Sequence, residues 1–195
     1  MLHEELKGYH IILASGSPRR QQFFKDLGLD FEIRLKEVEE IYSDRLRGSD
    51  ISDYLAQIKA LPLREELKEK EILITSDTIV WSEGKALGKP KNREDAFNMI
   101  RSLSNNSHEV ITSVCFTTKN AQKTVNAITK VYFKELSDEE IWFYVDQFKP
   151  FDKAGAYGIQ EWIGFIAVTK IEGSYFNVMG LPTHLVYKTL RSMVS

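Results

Sequence analysis

"YHIILASGSPRRQQFFKDLG", Tyr9 to Gly28, is the stretch on which the fold turns. Its opening, "YHIILAS", is a short apolar run rich in Ile and reads as a buried strand. Its second half reads as a helix. Ser17 stands where an N-cap belongs and Pro18 at the first helical position, Phe23, Phe24 and Leu27 make an apolar stripe, and Gly28 supplies the stop. Between them lies the small-residue turn "SGS". A strand, a tight turn and a helix therefore open the chain.

Outward from this unit the pattern stays mixed. "DFEIRL" reads as a second strand, and the acid-rich stretch from Lys36 to Asp53 lacks sustained periodicity and reads as an exposed loop. A helix is expected from about Ser52 to Ala60, with Tyr54, Leu55 and Ile58 on one side, and Pro62 should end or bend it. "EILITSDTIVW", Glu71 to Trp81, is a β-branched run expected to form a central strand, and "SEGK" after it is hairpin turn chemistry. "REDAFNMIRSLS" reads as an amphipathic helix, "HEVITSVCFTT" and "KTVNAITKVYFKEL" as two strands, and "LSDEEIWFYVDQF" as a helix capped by Ser137. "WIGFIAVTKIEG" is strand-like, and a last helix begins near Pro182. The expected class is α/β with a mixed central sheet and flanking helices.

Composition bounds the function. The 195 residues hold 26 basic and 28 acidic side chains, a formal charge of -2, so no global field draws nucleic acid or an acidic membrane. The eleven Phe and eight Tyr show no basic-aromatic interleaving, and their spacing assigns most of them to core faces rather than base stacking. The single cysteine, Cys115, forms no internal disulfide and has no partners at metal-ligand spacing. No apolar run approaches the roughly 20 residues that span a bilayer, and the acidic start does not resemble a signal peptide. A cytoplasmic setting follows as the expectation, and Asn105-Asn106-Ser107 is then a turn.

Three features carry chemistry. A Ser-Gly-Ser turn at a helix N-terminus, followed by Arg19 and Arg20, suits an oxyanion, because the first helical N–H groups are unpaired and the dipole is positive there. A capped helix with two solvated arginines accounts for the same residues. Asp77, a carboxylate inside an apolar strand, marks either an edge facing water or the point where the strand meets a site. Lys89, between Gly88 and Pro90, is either a point charge for phosphate or a surface lysine. Neither G-x-x-x-x-G-K-[ST] nor G-x-G-x-x-G occurs.

"LASGSPRR", "SDTIV", "LGKP", "DKAGAYGIQ" and "IEGSYFNVMGLP", in that order, resemble the Maf family of nucleoside triphosphate pyrophosphatases over nearly the whole chain. Only residues 1–8 fall outside it, as an extension to one Maf-like domain of 1–195. The resemblance implies two lobes around a phosphate-binding cleft and hydrolysis between the α- and β-phosphates with a divalent cation, Mg²⁺ or Mn²⁺. It makes Asp77 the proton acceptor for the attacking water and assigns Ser15, Arg20, Lys59 and Lys89 to triphosphate binding or catalysis. Glu39 or Glu40 falls where the family carries a further acid near the metal, with Asp77. Arg19, Thr78 and Gln160 match the group acting on dTTP and UTP; a related group acting on 7-methyl-GTP differs at these places. A homodimer is also implied. The alternatives are a nucleotide-binding regulator of cell division without turnover, against which the positioned base Asp77 speaks, and a pyrophosphatase for other modified nucleotides such as 7-methyl-GTP.

Overall fold

The computed structural model describes residues 1–194. A one-turn helix, α1 (Leu2–Glu5), precedes the decisive segment, which folds as β1 (His10–Leu13), a turn and α2 (Pro18–Asp26). The Ser17 hydroxyl accepts the Arg20 N–H at 3.5 Å, and Pro18 occupies the first turn, where a missing N–H leaves no bond unmade. Phe23 and Phe24 are buried beneath the helix.

β2 (Phe31–Ile33) lies parallel to β1. The following loop ends earlier than expected, because α3 spans Ser49–Ile58 and Ile51 and Ser52 are already buried. Gly48 at the N-cap makes no side-chain bond, so the usual start signal is missing; burial of Ile51 and Leu55 on one face holds the turn instead. Pro62 does not merely end this helix. It sits in the first turn of a new one, α4 (Leu61–Arg64).

β3 (Glu71–Ser82) is buried almost throughout, as an interior strand should be, and turns through Glu83 and Gly84 into antiparallel β4 (Lys85–Leu87). Then come α5 (Arg93–Leu103), β5 (Ser107–Thr117), β6 (Gln122–Phe133) and α6 (Asp138–Phe148), whose first turn is closed by reciprocal bonds between Ser137 and Glu140. The strand-like "WIGFIAVTKIEG" divides into a helix, α7 (Trp162–Ala167), and a strand, β7 (Val168–Glu172). Ile163 and Ala167, four apart, are both buried on one side of a helical turn, and extension begins where Lys130 to Phe133 of β6 offers antiparallel partners. α8 (Tyr175–Val178) and α9 (Thr183–Val194) complete the chain.

The strands form one mixed sheet in the order β2-β1-β3-β5-β6-β7, with β4 paired to β3. β1 is parallel to both β2 and β3, whereas β3–β4 and β6–β7 are antiparallel. The chain divides into two compact units: residues 1–77, 112–127 and 180–195, and residues 78–111 and 128–179. The first has a core of Ile12, Ala60, Leu63, Leu67 and Leu73. The second is built on Val80, Ile100, Leu103, Tyr144, Val145 and Ile163, among others. Among the described residues Phe143, Phe148, Phe151, Phe165 and Phe176 are exposed, so the assignment of the aromatics to core faces holds less well in this unit. Cys115 is buried and unpaired, and no helix among the described residues is long and apolar enough to cross a membrane.

One buried group makes the second unit acid-sensitive. His108 is 2 % exposed, shares a 2.7 Å hydrogen bond with the Tyr157 hydroxyl through Nε2, and leaves Nδ1 without a partner among the described residues. Burial lowers its pKa from the ordinary 6.5 to about 4. Below pH 6.5 the unfolded chain therefore binds a proton that the folded chain refuses, and stability falls with pH until about 4. The loss expected across that window is about 3 kcal/mol. Urea denaturation between pH 4 and 7 should show it in the wild type, and His108→Gln should lack that component.

Candidate active site

The site is assembled from residues far apart in the chain. β3 carries Asp77 at 7 % exposure, and Lys59 emerges at the C-terminal end of α3. Its ammonium donates to Asp77 Oδ1 at 2.6 Å and lies 3.1 Å from Glu40 Oε1, in the loop between β2 and α3. Lys59 thus stands between two carboxylates. Of the two acids left open by the sequence, Glu40 reaches this cluster; Glu39 is exposed and makes no ion pair among the described residues.

Arg20 does more than the phosphate role implied by the resemblance. Its Nε donates to the Gly180 carbonyl at 2.8 Å and its Nη1 to the Ser76 carbonyl at 2.9 Å, bracing the strand one residue before Asp77. Burial draws the guanidinium below its usual range, opposed by the Asp77 carboxylate, assisted by neighbouring Arg19 and opposed again by Glu40. A cation so fixed to backbone needs no reorganisation when negative charge develops beside it. The preceding turn is equally fixed: buried Ser15 accepts the Ser17 N–H at 3.3 Å through its hydroxyl, and its carbonyl accepts from Gln21 at 3.1 Å. Gln21 has no distinguishing mark in the sequence. Arg19 is half-buried.

The buried hydroxyl of Ser76 has no hydrogen-bond partner among the described residues. An unpaired buried hydroxyl is a liability. Ser76→Ala should therefore leave stability unchanged or raise it by about 1 kcal/mol, read as the denaturation midpoint, with turnover unaffected.

Thr78, Lys89 and Gln160 belong to the second unit. Thr78 is half-buried next to Asp77 on β3, and Lys89 is exposed in the loop after β4. The Gly155 N–H donates to the Gly88 carbonyl at 3.0 Å, tying the Lys89 loop to the glycine-bearing segment that leads to Gln160. Gln160 is half-buried and makes no hydrogen bond among the described residues, so its amide is available. No three His, Cys, Asp or Glu side chains gather into a ready metal cage among the described residues.

Residues 10–193 match the family described as Maf-like protein. The dTTP/UTP pyrophosphatase of Flavobacterium johnsoniae is 66% identical over 194 residues and that of Christiangramia forsetii 60% over 195, each match covering 100% of both chains. Among solved structures, the Staphylococcus aureus Ham1 protein aligns at a TM-score of 0.54 and 16% identity over 94% of this chain and 99% of that one, a likeness of fold alone. On the family match and the full-length relatives together, the chain belongs to the Maf family.

Proposed function

We infer that the protein hydrolyses dTTP and UTP to the nucleoside monophosphate and pyrophosphate. The observation that carries this is the Lys59–Asp77–Glu40 cluster, a buried carboxylate with a cation on one oxygen, beside the Arg20 brace. Full-length relatives named dTTP/UTP pyrophosphatase support the substrate class.

The chemistry follows from the charges. Water attacks the α-phosphorus, the bond to the bridging oxygen of the β-phosphate breaks, and pyrophosphate leaves with that electron pair. Lys59 holds Asp77 by Oδ1, so Oδ2 is the oxygen that takes the proton from water and passes it to solvent. Arg20 and Lys59, with Arg19, supply the positive field that a triphosphate requires, and Ser15 shapes the turn that receives it; the family likeness assigns Lys89 to phosphate as well. Asp77 and Glu40 are the carboxylates that would hold a hard divalent cation, Mg²⁺ or Mn²⁺, once Lys59, which stands between them, turns to phosphate, since such an ion needs only one or two protein carboxylates. When bound, it neutralises phosphate charge.

Base choice falls to Gln160, whose amide offers both a donor and an acceptor to a uracil or thymine edge; Arg19 and Thr78 match the same substrate group. A cytoplasmic setting, where triphosphates are made, belongs to this reading. Incubation with dTTP, UTP, CTP, ATP, GTP and 7-methyl-GTP in Mg²⁺, with separation of monophosphate, pyrophosphate and orthophosphate, tests it. Release of dTMP and UMP with pyrophosphate is expected. Preference for 7-methyl-GTP overturns the substrate assignment, and binding without turnover makes the protein a nucleotide sensor.

A further inference from the structure

The segment ending at Gln160 is closed by a polar ring, buried at Lys153 and Tyr144 and partly exposed at Glu161, that the chemistry above does not use. Lys153, 8 % exposed, stands near its start and Glu161 just past its end. Their side chains meet at 3.2 Å, and Lys153 also reaches Asp152 at 2.7 Å. Tyr144, fully buried on α6, completes the ring: its hydroxyl donates to Glu161 Oε2 and accepts the Gly158 N–H at 3.0 Å. Burial and the Glu161 carboxylate push the phenol above its ordinary range, so it remains a donor. Gly158 is what lets the pair close over the backbone. A Cβ there would lie 2.9 Å from Glu161 Cδ and 3.1 Å from Lys153 Cε.

A buried ion pair is a poor stabiliser beside a well-packed apolar pair of the same size. Tyr144 belongs to the apolar core of this unit, so hydrophobic contacts alone could have filled the same space. What the polar ring adds is geometry: fixed bonds from α6 and from both ends of the segment determine where residues 158–161 lie. Gln160 sits inside that frame with its own amide unspent.

We propose that Lys153, Glu161 and Tyr144 form a clamp that holds Gln160 in the orientation reading the uracil or thymine edge, a proposal that rests on the pyrimidine assignment above. They are positioning residues and touch no reacting atom. With the clamp released, the segment presents Gln160 correctly only part of the time. The apparent affinity for a nucleotide that needs Gln160 then falls by that fraction, a nucleotide that does not need it is unaffected, and the complex once formed reacts at its former rate.

Glu161→Gln tests this, since it keeps an acceptor for Tyr144 but removes the charge facing Lys153. For UTP, KM should rise about tenfold with kcat within about twofold, while KM for CTP, or its inhibition constant, stays put. The preference for UTP over CTP then falls about tenfold, and amide exchange across residues 154–161 quickens. Tyr144→Phe should produce the same pattern more weakly and replaces Glu161→Gln if the latter does not fold. Equal changes for UTP and CTP, a fall in kcat at constant KM, or a folded variant with unaltered preference overturns the clamp. If the wild type itself releases no pyrophosphate from UTP or dTTP, the pyrimidine assignment falls and the clamp with it, a failure recognisable before any variant is made.

Discussion

Asp77→Asn is expected to lower kcat for UTP about a thousandfold and to leave the fold intact. Proton transfer by a positioned base contributes roughly 10² to 10⁴ in rate, and an amide cannot take the proton. Asparagine has nearly the shape of aspartate, and its carbonyl oxygen still accepts from Lys59 where Oδ1 does now at 2.6 Å. Charge is lost, however, so Lys59 keeps only Glu40 as an anionic neighbour. Pyrophosphate release under saturating UTP measures the effect, with the thermal midpoint as the control for folding. A decrease of less than tenfold, in protein that unfolds normally, would remove Asp77 from the role of proton acceptor.

Gly164→Ala should be the most damaging small substitution in the second unit. A Cβ at that position would stand 1.8 Å from the Ile159 carbonyl oxygen and 2.5 Å from its carbonyl carbon. The obstacle is backbone, which has no rotamer by which to withdraw. α7 and the residues before it must separate, breaking the packing of buried Ile163, Ala167 and Ile159. Overpacking typically destabilises by about 1 to 3 kcal/mol, and a backbone obstacle puts this case at the upper end. Urea unfolding measures that loss, and because Ile159 immediately precedes Gln160, KM for UTP should rise as well. A variant as stable as the wild type would mean that the helix yields without disturbing its neighbours.

The elements written most plainly in the sequence were those whose signals are local. Ser17-Pro18 and Ser137-Glu140 cap helices through bonds within one turn, and both helices begin where those residues place them. Helix α3 starts before the sequence signals it, because its N-cap is Gly48, which contributes no side-chain acceptor, and its first buried residue is held by tertiary packing. The Trp162–Ala167 helix was hidden for a related reason: its apolar residues suit either period, and the close approach of Gly164 to Ile159 has no expression in local pattern.

The candidate site was legible in kind but not in arrangement. Asp77 stood out as an acid in an apolar strand, but its ion pair with Lys59 joins residues on β3 and at the end of α3, and no spacing announces it. Nor did sequence distinguish Glu39 from Glu40, adjacent and chemically alike, until Glu40 was found against Lys59. Tyr144, Lys153 and Glu161 carry no sequence signal, because a polar ring spread over α6 and a loop reads, residue by residue, as an aromatic core position and two ordinary charges.

The single main-chain bond from Gly155 to Gly88 has a bearing on how this enzyme could be redesigned. It ties the loop that carries Lys89 to the segment that leads to Gln160, so on the proposed roles of those residues grip on the polyphosphate and choice of base would not be separate modules. Loops exchanged singly from a relative of different specificity would arrive without the counterpart that sets their height. Grafted as a pair, with the bond between them preserved, they would bring their own ruler.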